Sequence, residues 1–263
     1  MAERLGQIVA AVRAKAPLIQ CLTNYVSMDI MANGLLAAGA SPAMVHSQSE
    51  LHDAIAVVKA VGGAVSINIG TLDNSWIACF KCAIEVCNQN SVPWVLDPVG
   101  AGFTGFRTHT AIDLLKMGGC VVIRGNGSEI LALGGECGGG KGVDSTKGSD
   151  VAVDAAKVLA ARYGCVVCVS GAVDYICDPA GEVLTCPYGV EMLTKITAAG
   201  CLLSSLVAAF VAAKPEGFSN AEATLCACSF LGLCAEAASV GSKGPGSLRA
   251  NLMDQLYSFD PCA

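Results

Sequence analysis

Up to residue 170 the chain alternates short, continuously apolar runs with longer stretches of helical period. The runs are Leu18 to Leu22, Ala64 to Ile69, Pro93 to Leu96, Cys120 to Ile123 and Cys165 to Val169, each followed by a polar or glycine-rich turn. Runs without polar alternation suit strands covered on both faces, and their regular spacing predicts βαβ units around a mainly parallel sheet with helices on both sides. After Ser170 the pattern changes. Val173 to Cys177 and Glu182 to Cys186, separated by Asp178-Pro179-Ala180-Gly181, predict an antiparallel hairpin at a sheet edge. Helices dominate from Gly200 onward. Gly138 to Gly148 (GGGKGVDSTKG) is the one low-complexity stretch and is expected to be an exposed loop. No linker or repeat divides residues 1–263, so a single α/β domain is expected.

Composition narrows the function classes. The 263 residues are 53% hydrophobic and only 14% charged, with a mean hydropathy of +0.56, which excludes a disordered or fibrous chain. Sixteen basic against 22 acidic residues leave a net charge of -6, so no global positive field exists to hold nucleic acid or an anionic membrane surface. A phosphate ligand needs a local device. The 15 cysteines are odd in number and scattered through apolar runs, and the first twenty residues hold Glu3, Arg4, Arg13 and Lys15 without a signal-type apolar core. A reduced, cytoplasmic setting is expected, with cysteine as core filler. Ile196 to Ala213 carries no charge and just reaches membrane-spanning length, but Thr197, Gly200, Ser204 and Ser205 make it a buried helix in this reading, not a membrane span.

In wound parallel sheets the ligand crevice lies beyond the carboxyl ends of the strands. Five strand-ending turns carry unusual side chains: Thr23-Asn24, Asn68-Ile69-Gly70, Asp97-Pro98-Val99-Gly100-Ala101-Gly102, Arg124-Gly125-Asn126 and Ser170-Gly171. Any one of them is explained by ordinary turn chemistry. Five converging on one edge are harder to dismiss. Two phosphate-binding motifs are only formal matches. GAGFTG at 100–105 fits GxGxxG, but about 20 residues on the chain places Arg124 and no acid, so a nicotinamide site is not expected. Gly135 to Lys141 fits GxxxxGK, yet Gly142 stands where Ser or Thr is needed, and no strand leads in.

The segment Thr194 to Ser205, TKITAAGCLLSS, is the most informative. Small residues 198 to 200 lead into a long apolar helix, so amides near Gly200 and Cys201 point outward at the positive end of a helix dipole and form an anion hole. An ordinary helix start behind a tight turn accounts for the same letters equally well.

Along nearly its whole length the chain resembles the hydroxyethylthiazole kinase family, of ribokinase-like fold. The likeness rests on CLTNYVSMDIMANGLLAAGASPAM (21–44), SINIGTL (66–72), VLDPVGAG (95–102), VIRGNGSEI (122–130), VSGAVD (169–174), LTKITAAGCLLSS (193–205) and KGPGS (243–247), in matching order and spacing. The resemblance implies a three-layer α/β/α architecture and, in thiamin salvage, transfer of the ATP γ-phosphoryl group to the alcohol of 4-methyl-5-(2-hydroxyethyl)thiazole with Mg²⁺. It also implies a homotrimer with sites between subunits. Cys201 matches the position where related sugar and pyrimidine kinases carry a catalytic aspartate, and it is read together with Gly200 as catalytic. Met44, Ala198, Asn24 and Val26 match substrate-pocket positions; Arg124 and Ser170 match nucleotide-contacting ones, with Asn126 placed beside them. One departure is Ala198, where the family usually has glycine, an added methyl that crowds the site if φ is positive there.

The residues themselves fit this chemistry. Phosphoryl transfer needs charge neutralisation and alignment more than covalent participation, and a helix N-terminus, an arginine and a metal supply both. Asp97 and Glu129 are candidate Mg²⁺ ligands, directly or through water, while as structure they are a turn former and a first-turn helix acid. The dipole at Cys201 is expected to lower its thiol pKa and make it a positioner and modest base. Three alternatives stay open: a kinase of another small alcohol, a non-catalytic nucleotide- or metal-binding module, and a dinucleotide oxidoreductase.

Overall fold

The structure, a computed structural model, describes residues 2–138 and 152–260. Eight strands form one sheet in the order β2-β1-β3-β4-β5-β6-β7-β8. They are β1 (Leu18–Leu22), β2 (Ser41–Ala43), β3 (Ala64–Asn68), β4 (Trp94–Asp97), β5 (Cys120–Asn126), β6 (Val166–Ser170), β7 (Asp174–Cys177) and β8 (Val183–Cys186). The first six run parallel, and β7 and β8 add antiparallel at the edge as the hairpin pattern predicts. All five apolar runs became strands. The strand that the pattern did not reveal is β2, three residues around Pro42 on the opposite edge, where a missing N–H is tolerated.

One correction matters for the site. Arg124-Gly125-Asn126 is not a turn: these residues continue β5, paired with Cys168, Val169 and Ser170 of β6. Parallel pairing with β6, which continues past the last β4 pair at Leu96 and Ile123, outweighs the turn propensity of Gly and Asn. The polar residues therefore sit on sheet ends, which position side chains more tightly than a loop does.

Helices α1 (Ala2–Lys15), α2 (Met28–Ala38), α8 (Ala199–Ala213), α9 (Asn220–Ser239) and α10 (Pro245–Ser258) cover one face. On the other face lie α3 (Leu51–Ala60), α4 (Asn74–Asn90), α5 (Gly105–Lys116), α6 (Gly127–Gly138) and α7 (Val153–Tyr163). The result is a three-layer α/β/α stack. Strand alternation divides the two cores: Val95, Val122 and Cys168 point to the first layer, Leu96, Ile123 and Val167 to the second. By the same parity Asn68, Asp97, Arg124 and Ser170 face the side of α8, at the carboxyl ends of four neighbouring strands.

The uncharged stretch from Ile196 holds α8, a helix of 15 residues almost wholly inside the protein. Among the described residues α9 is the one helix long and apolar enough to cross a membrane, and it is mostly buried against its neighbours. Apart from Gly138, which ends α6, the loop expected over Gly138 to Gly148 lies outside the described residues. So does the end of the GxxxxGK match.

Candidate active site

The N-terminus of α8 opens at the carboxyl edge of the sheet. Ala198 caps it with φ +62° and ψ 13° and offers no side-chain acceptor. The amide of Ala199 reaches back only weakly to Ile196 O (3.4 Å), and among the described residues no backbone acceptor meets the amides of Gly200 and Cys201. These are the orphan donors that a helix start leaves, concentrated where the dipole is positive.

Left-handed backbone disfavours any residue with a Cβ, by roughly 1–2 kcal/mol, and a glycine introduced there gives back part of that gain as unfolded-state entropy. Ala198→Gly is therefore expected to stabilise the protein by about 1 kcal/mol, read as a higher denaturation midpoint at unchanged slope. A lower midpoint would show that the methyl group packs more favourably than its backbone is strained.

Facing those amides is a hydrogen-bonded polar row. Asn24 Nδ2 donates to Asn68 Oδ1 (2.7 Å), Asn68 Nδ2 donates to Asp97 Oδ2 (2.8 Å), and Ser204 Oγ, one turn into α8, donates to the same oxygen (2.8 Å). Arg124 Nη1 lies 3.9 Å from Asp97 Oδ2, while Nη2 bonds Ser170 Oγ (2.5 Å). Ser170 in turn donates to Gly125 O. Cys201 Sγ accepts from Asn24 Nδ2 at 3.7 Å. Gly200 permits the approach: a Cβ there would stand 2.5 Å from Arg124 Nη1.

The electrostatics differ from the sequence expectation at Cys201. Burial and the nearby Asp97 carboxylate push its thiol up to about 11, against the lowering pull of Asn68, Arg124 and Asn24. Desolvation and Asp97 outweigh these three groups, so at neutral pH Cys201 is a thiol, not the lowered-pKa group expected from its place at a helix start. Asp97 is 1% exposed; burial and Glu129 raise its pKa to about 6, opposed by Arg124, Ser204 and Asn68. Burial lowers the pKa of Arg124, but the negative charges led by Asp97 outweigh it and the net shift is upward.

A carboxyl whose folded pKa exceeds the ordinary value of about 4 contributes stability in full below that value and loses it as pH rises through the folded pKa. Relative to Asp97→Asn, the ligand-free protein should thus lose on the order of 2 kcal/mol between pH 4 and pH 7, measured by urea unfolding. A gap that stays constant with pH would contradict the raised pKa.

This arrangement can be set beside known proteins. The family model described as the hydroxyethylthiazole kinase family matches residues 9–261. A curated hydroxyethylthiazole kinase from Zea mays is 47% identical over 262 residues, covering 98% of this chain and 89% of that protein. The chain belongs to the hydroxyethylthiazole kinase family. The solved hydroxyethylthiazole kinase of Pyrococcus horikoshii OT3 superposes with a TM-score of 0.88 at 37% identity, covering 98% of this chain and 94% of that one. A ribokinase-like superfamily protein from Enterococcus faecalis shares the fold, with a TM-score of 0.59 at 14% identity over 91% of this chain and 86% of that one.

Within this hydroxyethylthiazole kinase fold the remaining expected residues spread around the row. Asn24 is buried and fully engaged: its Oδ1 accepts from the amides of Val26 and Ser27 (both 3.0 Å), so it brackets the loop before α2. Val26 is exposed beside it, and Met44 lies half-buried just past β2, packed on the α8-side core. Asn126 and Glu129 form a reciprocal helix cap: Asn126 Oδ1 accepts from Glu129 N (2.9 Å) and Glu129 Oε2 from Asn126 N (2.8 Å). Glu129 Oε1 accepts from Gly100 N (2.8 Å).

Sequence reasoning did not assign Ser204 or Arg107, and named Asn68 only within a turn. Ser204 lies three residues past Cys201, a helical spacing that places both on one side of α8. Among the described residues no three His, Cys, Asp or Glu side chains gather as a metal cage. The 13 described cysteines are free thiols, almost all buried.

Proposed function

We propose that the chain transfers the γ-phosphoryl group of ATP to the primary alcohol of 4-methyl-5-(2-hydroxyethyl)thiazole, assisted by Mg²⁺, as a cytoplasmic enzyme of thiamin salvage. The observation that carries this reading is the convergence of the free amides of Gly200 and Cys201 with Arg124, Ser170 and Asp97 on one sheet edge. A loose phosphoryl-transfer transition state spreads negative charge over three equatorial oxygens, and preorganised donors stabilise that charge most where water is excluded. The two amides and Arg124 supply the donors. Arg124 and Ser170 hold the nucleotide phosphates, with Asn126 at the rim. Met44, Ala198, Asn24 and Val26 line or shape the thiazole pocket.

Cys201, protonated at neutral pH, positions the alcohol and does not act as a thiolate base. The ionised group in the row is Asp97, which takes up the alcohol proton. Asp97 also fits a hydrated divalent cation: Oδ1 is buried and has no protein partner, the state that a metal-bound water satisfies. Glu129 already accepts two amides, so it suits contact through water only. When bound, Mg²⁺ neutralises phosphate charge and orients the oxygens.

The whole chain acts as one domain in this reading. Exposed Tyr25 and Val26 beside Asn24 suit a homotrimer whose sites lie between subunits. Steady-state ADP release against a panel of thiazole, pyrimidine and sugar alcohols tests the assignment. Release that requires both the thiazole alcohol and Mg²⁺ supports it; equal turnover without that alcohol, or preference for a pyrimidine or sugar alcohol, overturns it.

A further inference from the structure

Helix α5 starts behind Thr104, whose Oγ accepts from Arg107 N (3.4 Å), so Arg107 sits in the first turn. A cation there opposes the helix dipole. Among the described residues no carboxylate pairs with it. Its fork instead reaches three backbone carbonyls on two loops: Nη1 donates to Ile69 O (2.7 Å) and Val99 O (3.0 Å), and Nη2 donates to Gly70 O.

The amides on the far side of those carbonyls give the arrangement its meaning. Ile69 C=O and Gly70 N–H belong to one peptide group, and that N–H donates to Asn68 Oδ1 (3.0 Å). Val99 C=O and Gly100 N–H belong to another, whose N–H donates to Glu129 Oε1 (2.8 Å). One guanidinium therefore clamps two peptide groups by their oxygens while their nitrogens hold two polar side chains of the site. Asn68 passes the constraint on to Asp97 Oδ2. A positive charge on each carbonyl also strengthens the N–H opposite as a donor.

Glycine allows close approach in both loops, to Arg107 at residue 100 and to Asn24 at residue 70. Gly100 has φ +74° and a Cβ there would stand 3.1 Å from Arg107 Cδ, while a Cβ at Gly70 would meet Asn24 Nδ2 at 2.4 Å. Lysine, whose three donors share one nitrogen, lacks the planar fork that spans these acceptors.

We propose that Arg107 is a positioning residue: by gripping the 69–70 and 99–100 peptide groups it sets the orientation of Asn68 and Glu129 and, through Asn68, of Asp97. The inference rests on the kinase reading for its kinetic consequence but not for its structural one. Misplaced groups lower kcat more than they weaken binding.

The test uses Arg107→Ala and Arg107→Lys in the full-length protein. Amide hydrogen exchange of ligand-free protein should quicken about tenfold at Gly70 and Gly100 in both variants, with the central strands unchanged. For Arg107→Ala, kcat should fall about a hundredfold with KM for the alcohol held within a few-fold, and added guanidinium ion should restore part of it. Wild-type exchange rates at Gly70 and Gly100, or activity lost only in proportion to unfolded protein and without rescue, overturn the proposal. A wild-type protein inactive on every alcohol would sink the kinase reading alone, because the exchange measurement still decides the role of Arg107.

Discussion

Arg124→Ala is expected to lower kcat by about a thousandfold or more, the scale of an arginine that neutralises a migrating phosphoryl group. The side chain reaches Asp97 at 3.9 Å and Ser170 at 2.5 Å, so it spans the gap between the ends of β4 and β6. Removal also strands a carboxyl that is 1% exposed. Breaking a buried pair costs about 3–5 kcal/mol when the remaining charge persists, but Asp97 can escape by taking a proton, which limits the loss. The variant should thus fold, with lower stability that recovers toward acid pH. Arg124→Lys should rescue little, since one ammonium cannot serve Asp97 and Ser170 together. Kinetics within tenfold of wild type in either variant would remove Arg124 from the transition state.

Gly200→Ala should cost about a hundredfold in kcat while leaving the melting temperature within a few degrees. The added methyl group would stand 2.5 Å from Arg124 Nη1 and 3.2 Å from Cζ, at the far end of a side chain that can swing away. Alanine is otherwise favourable inside a helix, so the fold gains slightly in intrinsic propensity. Catalysis has no such escape. Displacing the guanidinium by an ångström or more separates it from the amides of Gly200 and Cys201, which the proposed mechanism has it act beside. Matched stability and kcat for Gly200→Ala and wild type would show that Arg124 and the mouth of α8 act independently.

Most of the fold was legible because it is written in long, regular patterns. Five buried strands and the edge hairpin followed from apolar runs and turn residues; β2 escaped because three residues around a proline carry no periodic signal. The site was legible as residue types at strand ends, and five of its members, Asn24, Asp97, Arg124, Ser170 and Cys201, do converge. Their electrostatics were not. The pKa of Cys201 depends on how deeply α8 is packed and on Asp97 across the crevice, both set by tertiary structure. Glu129 illustrates the same limit: both readings of it rest on the same acidic letter, and only the structure shows each of its oxygens held by an amide. Arg107 gave no local signal at all, since its partners are carbonyls of residues 69, 70 and 99, which every sequence has. Ala198 is the reverse case, a single letter whose meaning depended on one angle.

The contact on which the proposed mechanism depends most is that between the moving phosphate and the first turn of α8. A crystal structure with ADP, the thiazole alcohol and a planar metal fluoride in place of the γ-phosphoryl group would show it directly. The fluoride atoms should lie about 3 Å from the amides of Gly200 and Cys201, with Arg124 on a third side. Fluoride lodged elsewhere, with those amides closed off by side chains, would contradict the mechanism at its root.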